Sequence, residues 1–251
     1  MESVVLARTG TSTPGRAAID WATDEARLRG AVLRMPDNPM REPGRASVIV
    51  CGVCRDCTGA PPGSDSPPAM LVRAAHCPVV LVPDRLAVSR HRTGVTLGVD
   101  AREPSDTALD FAFQSARRRG VRLHAVHAWA LPPGAVGRPF GVPESDRAAW
   151  EDHEVQLLRD ALRPWCEEFP DVDVLADVRL SGPTEALLHC SERAGLVVVP
   201  RDSRKSDGEE AARVLLRRAT CAVAVVPKGP GSTRPTGSAR TWTRSRWWQD
   251  P

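Results

Sequence analysis

Three evenly spaced cysteines are the first candidates for a metal-binding or redox site in this chain. Cys51, Cys54 and Cys57 form a C-x2-C-x2-C run at the end of a predicted strand. Thiolates at such spacing can bind zinc or an iron–sulfur cluster, or act as a thiol switch. The run lacks a close fourth ligand, and a buried strand position explains Cys51 without a metal. We therefore expect no metal and keep a metal or redox sensor as an alternative.

Two histidines form the second candidate. His124 and His127 lie on or just past one predicted strand and could face a site at the carboxyl end of the sheet. Structural histidines are the more common case, and no set of Ser, His and Asp residues has the spacing of a catalytic triad. We infer no catalysis and predict that the chain is not an enzyme.

The composition indicates a folded protein without a strong preference for nucleic acid. The 251 residues carry a net charge of only +3, with acidic and basic residues interleaved through most of the chain. No run reaches the roughly 18 consecutive apolar residues of a membrane span, and the pattern of a secretory signal is absent. The seven cysteines, an odd number, fit reduced intracellular thiols. We expect a cytoplasmic protein.

An internal repeat fixes the architecture that must position these residues. A helical segment that begins at Ala18 recurs 90 residues later at Ala108, and both copies end in Arg-Gly. A second matched pair, Arg73–Pro83 and Arg217–Pro227, is offset by 144 residues. Two copies of one unit follow from this pattern. We predict a truncated unit at 1–84, a linker at 85–93, a complete unit at 94–228 and a disordered tail at 229–251.

Each copy alternates short aliphatic runs with helical patterns, which is typical of an α/β fold with a parallel sheet. In an open doubly wound sheet of order 3-2-1-4-5, the first copy lacks one edge strand and two helices, and its central pairings survive. A helix at 146–168 is expected to be kinked or ended early by Pro164. The predicted strands are Val4–Ala7, Ala31–Met35, Val48–Cys51 and Val79–Val82, then Val95–Val99, Val121–Val126, Val172–Val178, Leu196–Val199 and Ala222–Val226.

Several segments of the second copy carry a family resemblance. These are Gly94–Asp100 followed by Glu103–Leu109, then His124–Trp129, Gly182–Leu188 and Cys221–Val226. In order and spacing they resemble the universal stress proteins, whose opening is usually written VGVDGSEPSRAAL. The resemblance implies a stress-response role. It also implies pairing through the last strand of each unit, either as a pseudo-dimer within the chain or as a homodimer.

ATP-binding members of that family carry G-x2-G-x9-G-[ST] after the fourth strand, because bare backbone amides must approach the phosphates closely. In the first copy Gly52 and Ser66 match the first glycine and the closing hydroxyl. Arg55 and Asp65 replace the other two glycines. Half of the loop pattern therefore survives in this copy.

The loop of the second copy departs further from the pattern. Pro200 stands at the first glycine, and Glu209 and Glu210 occupy the final pair. Like charges in a confined site cost several kcal/mol at an effective dielectric constant of about 20. We expect that neither copy binds ATP tightly and that the protein carries no cofactor.

A reduced nucleotide site is the alternative that the resemblance leaves open. Asp100, which contacts the nucleoside in the family, is present in the second copy, whereas the first copy has Thr or Gly there. Ala101 and Arg102 replace the usual Gly-Ser beside it. A weak adenosine or AMP site would lie near Val99, Asp100 and Val126. The main hypothesis is a non-catalytic stress protein with degenerate loops that acts through contacts with itself and an unknown protein partner.

Overall fold

The computed structural model describes residues 3–7, 15–36, 46–53, 67–84, 94–132, 134–135, 142–201, 214–215, 218–219 and 221–229. The predicted linker at 85–93 and the predicted tail from residue 230 onward lie outside these ranges. No helix within the described ranges combines the length and the apolar character that crossing a membrane requires.

Strands and helices alternate along both halves of the chain. Each predicted strand is confirmed, with ends within three residues of the expected positions. The first half contains β1 (Ser3–Ala7), α1 (Arg16–Arg29), β2 (Val32–Arg34), β3 (Ala46–Val53), α2 (Pro67–Ala74) and β4 (Val79–Pro83). The second half contains β5 (Gly94–Gly98), α3 (Asp106–Arg119), β6 (Leu123–Trp129), α4 (Glu144–Glu168), β7 (Val174–Leu180), α5 (Pro183–Ser191), β8 (Ala194–Arg201) and β9 (Ala222–Pro227).

All nine strands form one sheet, in the order β2-β1-β3-β4-β9-β8-β5-β6-β7. The second half reads β7-β6-β5-β8-β9, which is the predicted order 3-2-1-4-5 counted within that half. The first half reads β2-β1-β3-β4, so the strand missing from it is the one expected at the edge. Because an edge strand has only one neighbour, its loss leaves the remaining parallel pairings in place. The predicted fold class is confirmed.

The two halves join through their last strands. β4 and β9 are the one antiparallel pair in the described sheet, with Val79 opposite Val225, Val80 opposite Ala224 and Leu81 opposite Val223. The residues of β4 and the first five of β9 are buried, so this junction lies inside the core. Antiparallel pairing of equivalent strands relates the halves by an approximate twofold axis, as in an isologous dimer interface.

Helices cover both faces of the sheet, as a buried parallel sheet requires. Apolar side chains of α1, α3 and α4 pack on one face, and those of α2 and α5 pack on the other. The helices α1 and α3 end in the same way. Gly30 and Gly120 adopt φ angles of 60° and 61°, a left-handed conformation that closes each helix at little cost for glycine.

The twofold relation brings repeated residues of α1 and α3 into contact across the junction. The guanidinium of Arg29 lies 5.2 Å from the ring centroid of Phe111, and that of Arg119 lies 5.6 Å from the ring centroid of Trp21. The buried Glu25 accepts hydrogen bonds from both arginines through its two carboxylate oxygens. One carboxylate therefore bridges two guanidinium groups inside the interface.

Of the two effects expected of Pro164, a kink or an early end of the helix, the early end does not occur. Helix α4 continues past Pro164 to Glu168. Trp165 and Phe169, which follow the proline, form an aromatic cluster with Phe113 of α3, with ring centroids 5.5 to 6.3 Å apart. Burial of these large rings offsets the backbone hydrogen bond that proline cannot donate.

The substitution Glu25→Gln tests the junction between the halves. It leaves Arg29 and Arg119 without a counter-charge, so the free energy of unfolding should fall by about 3 kcal/mol in urea denaturation. Asp24→Asn is the matched control, because that exposed carboxylate pairs with Arg27 at the surface. The control should change stability by less than about 0.5 kcal/mol. Equal losses in the two variants would contradict the role of Glu25 at the junction.

Candidate functional site

The predicted nucleoside residues lie together at the carboxyl end of β5 and beside it in the middle of β6. The backbone N–H of Val99 donates to the carbonyl of Val126 over 2.9 Å, and both side chains are buried. Asp100 follows directly and is exposed. Its Oδ1 accepts a hydrogen bond of 3.1 Å from the backbone N–H of Arg102. Ligands of open α/β sheets bind at this end of the strands, and Asp100 lies there. Its contact with a nucleoside stays a prediction.

A buried polar network closes one side of this position. Glu154 of α4 accepts a hydrogen bond from Arg102 through Oε1, and its Oε2 lies 3.0 Å from Nε2 of His127. The Nδ1 atom of His127 lies 3.0 Å from the carbonyl oxygen of Val99 and 3.3 Å from the backbone nitrogen of Ala101. Because an ionised carboxylate only accepts, Nε2 of His127 donates to it. The network joins α4 to the end of β5.

Electrostatics keep Glu154 ionised despite its position. Burial raises the pKa of Glu154, but hydrogen bonds from Arg102 and His127 outweigh burial and hold the pKa below its usual value. The side chain of Arg102 is 55% exposed, whereas that of Glu154 is 5% exposed. The guanidinium of Arg102 is thus drawn toward helix α4, next to Asp100.

Glu154 was not among the residues predicted from the sequence, although one signal pointed to it. It precedes Leu158 and Leu162 at four-residue spacing, and both leucines are buried on α4. An acidic residue on the apolar stripe of a helix is expected to have a buried partner. The identity of that partner was not readable, because His127 and Arg102 lie 27 and 52 residues away.

In the first half, Gly52 lies near the end of β3, paired with Val82 of β4. A Cβ atom added at Gly52 would lie 3.3 Å from Cβ of Ala18 and 3.5 Å from the backbone nitrogen of Gly15. Glycine here allows the start of α1 to approach the strand closely. Ser66 lies outside the described residues, so its pairing with Gly52 at a phosphate stays a prediction.

The cysteine run is described only at its first member. Cys51 is fully buried in β3, and its Sγ lies 3.5 Å from the carbonyl oxygen of Gly52. Burial raises the pKa of the Cys51 thiol to about 12, so the thiol is protonated at neutral pH and is a poor nucleophile. Cys54 and Cys57 lie outside the described residues.

The two histidines do not share a site. They are three residues apart on β6, so their side chains project from opposite faces of the sheet. Whereas His127 is buried against α4, His124 is half-buried and its Nε2 lies 2.8 Å from Oδ2 of Asp177 on β7. Burial lowers the pKa of His124, but hydrogen bonds to Asp177 and Cys190 outweigh burial and raise it to about 9.

Comparison with known proteins agrees with this arrangement of strands. Residues 93–227, more than half of the chain, match the model of the universal stress protein family. The chain belongs to the universal stress protein family. The matched range contains the residues at the end of β5 and in β6 described above.

Individual universal stress proteins match this chain as well, one of them over a longer range than the family model. A universal stress protein of Mycobacterium tuberculosis (strain CDC 1551 / Oshkosh) is 34% identical over 197 residues, covering 77% of this chain and 59% of the relative. Another from strain ATCC 25618 / H37Rv is 37% identical over 131 residues, covering 51% of this chain and 42% of the relative. The chain thus spans about half the length of the curated relatives it matches.

A solved structure supports the fold of this universal stress protein. The crystal structure of a universal stress protein from Archaeoglobus fulgidus DSM 4304 aligns with a TM-score of 0.54 at 16% identity. The alignment covers 92% of this chain and 87% of that one. Because most of both chains is superimposed, the likeness includes both halves of the nine-stranded sheet.

The pH dependence of stability tests the Glu154 network. The folded pKa of Glu154 is below its unfolded value, so its stabilisation is present above the unfolded pKa and is lost as pH falls through the folded pKa. Glu154→Gln should lower the free energy of unfolding by about 1–3 kcal/mol at pH 7. The deficit should shrink in urea titrations near pH 3. Glu151→Gln, at an exposed position of the same helix, should show no pH-dependent deficit.

Proposed function

We propose that this universal stress protein is a non-catalytic, cytoplasmic regulatory protein that acts through protein contacts and has lost tight ATP binding. The observation that carries the proposal is the pairing of Arg102 with buried Glu154, directly beside Asp100. In the family pattern this position holds a small serine. Here it holds a long cation that is already engaged by the protein.

Arg102 does not substitute for the lost loop glycines as a phosphate ligand. A phosphate that drew the guanidinium away from Glu154, which is 3% exposed, would leave that carboxylate with His127 as its partner among the described residues. Breaking a buried ion pair costs about 3–5 kcal/mol, and partial exposure of Arg102 reduces that cost. Binding of a phosphate by Arg102 would therefore add little net affinity.

The arrangement of the sheet supports a role in protein contacts. Family members pair through their last strands, and here β4 and β9 already pair with each other inside the chain. The described sheet therefore ends at β2 and β7, whose unpaired edges are templates for added strands. Large apolar side chains are exposed near these edges, namely Leu28, Val32 and Met35 on one side and Leu175 and Leu180 on the other.

A nucleotide sensor is the second candidate, and the exposed carboxylate of Asp100 favours it. Asp100 extends from the carboxyl end of β5, beside the hydrogen-bonded backbones of Val99 and Val126. A nucleoside could be held there without the phosphate loop, at an affinity typical of a reduced set of contacts. A cysteine-based sensor is a third candidate, which the high pKa of Cys51 does not favour.

Calorimetric titration of the full chain with Mg-ATP tests the main proposal. We expect no saturable binding in the micromolar range, because each kcal/mol lost at the phosphates weakens the dissociation constant about fivefold. Arg102→Ser should not restore micromolar binding, because the changed glycine loops remain. Micromolar affinity in the unmodified chain would overturn the proposal.

Thermal unfolding with and without AMP tests the second candidate. If Asp100 holds a nucleoside, AMP should raise the melting temperature of the unmodified chain, and Asp100→Ala should abolish that rise. Asp106→Ala, at the start of α3, is the matched control and should keep the rise. If AMP raises the melting temperature of the Asp100→Ala variant by the same amount, Asp100 does not contact the nucleotide.

A further inference from the structure

A nitrogen, an oxygen and a sulfur donor meet on the face of the sheet that α5 covers. His124, Asp177 and Cys190 each offer one ligand atom, and these atoms lie within 4.8 Å of one another. In the described part of the chain this is the one group of three or more such residues. None of the three belongs to the Arg102 network or to the cysteine run.

The fold brings these donors together from three elements. His124 lies on β6, two residues before Val126, and Asp177 lies opposite Val126 on β7. Because alternate residues of a strand share a face and paired residues project to the same side, both donors face helix α5. Cys190 lies on the buried side of α5, one turn after Ala186.

Part of this arrangement has a simpler explanation. Asp177 also accepts a hydrogen bond of 2.8 Å from Nε of Arg179 and lies 2.8 Å from its Nη2. Asp177 therefore belongs to an ion-pair network with Arg179 and His124. That network accounts for the imidazole and the carboxylate. It does not account for the position of the thiol of Cys190, which is 6% exposed and hydrogen-bonded to the same imidazole.

We propose that His124, Asp177 and Cys190 form a binding site for zinc. Imidazole nitrogen, carboxylate oxygen and thiolate sulfur are the ligand types that zinc takes in proteins, and the thiolate disfavours magnesium and calcium. Thiolate and carboxylate together supply two negative charges to match the metal. On binding, the thiol proton and the proton on the coordinating imidazole nitrogen are released to solvent. Three protein ligands leave one position of a tetrahedral site for water or a further ligand.

The presence of Arg179 makes it possible to distinguish a metal site from a purely structural ion-pair network. Its positive charge lies beside Asp177 and competes with a metal cation for the carboxylate. Removal of this charge should therefore strengthen metal binding, although it weakens the ion-pair network. The variant Arg179→Gln separates the two explanations.

Cobalt substitution is the experiment that tests the site. The full chain, treated with chelator and carrying Cys54→Ser and Cys57→Ser to remove the other candidate thiolates, is titrated with Co²⁺ and then with Zn²⁺. We expect one equivalent of cobalt with a thiolate-to-cobalt charge-transfer band and visible bands of tetrahedral coordination. Zinc should displace the cobalt.

Single variants assign the ligands. Cys190→Ser should abolish the charge-transfer band, and His124→Gln should weaken metal affinity by about tenfold or more. Arg179→Gln should strengthen affinity severalfold. Cys166→Ser, which changes a partly buried cysteine on α4, is the control and should leave the spectrum unchanged.

Two results would overturn the proposal. One is the absence of a charge-transfer band in the parent chain at a saturating excess of cobalt. The other is a band that persists in Cys190→Ser, which would assign the metal to another cysteine. Circular dichroism in chelator shows whether each variant folds. If Cys190→Ser does not fold, the opposite shifts expected for His124→Gln and Arg179→Gln decide the question, and unchanged affinity in both rejects the site.

Discussion

Antiparallel pairing of β4 with β9 sets the geometry of nearly everything else in this protein. It places the two halves about an approximate twofold axis and aligns α1 beside α3. Residues that recur at an offset of 90 then make equivalent contacts across the junction. The guanidinium of Arg29 lies over the ring of Phe111, and that of Arg119 lies over the ring of Trp21. A homodimer would obtain the same contacts from two identical chains. A single chain obtains them without the entropic cost of association.

The two halves differ at their junction. Glu25 is buried between two arginines, and Ser115, 90 residues later, is also buried. The carboxylate of Glu25 bridges both guanidinium groups, so removing it would leave two cations without an anion. The halves also differ at the sheet edges, because the first half ends at β2 and the second at β7.

The side chains that follow β5 belong to a network that joins the sheet to α4. Asp100 keeps its place after β5, yet the next side chains belong to a network centred on Glu154 and anchored by His127. That network stabilises the contact between α4 and the sheet. Side chains next to Asp100 thus stabilise the fold, which is the basis of the proposed loss of tight nucleotide binding.

Hydrophobic periodicity and internal repetition can be read from the order of amino acids, which was enough to predict the strands and the strand order within each half. The order of amino acids also located Asp100 at the end of its strand. The pairing of the two last strands was expected from the family resemblance. The partners of buried charges were not readable in this way, since Glu25 meets Arg119 94 residues away and Glu154 meets Arg102 52 residues away. These features emerged only in the folded chain, because a charge is paired by proximity in space, which residue spacing does not encode.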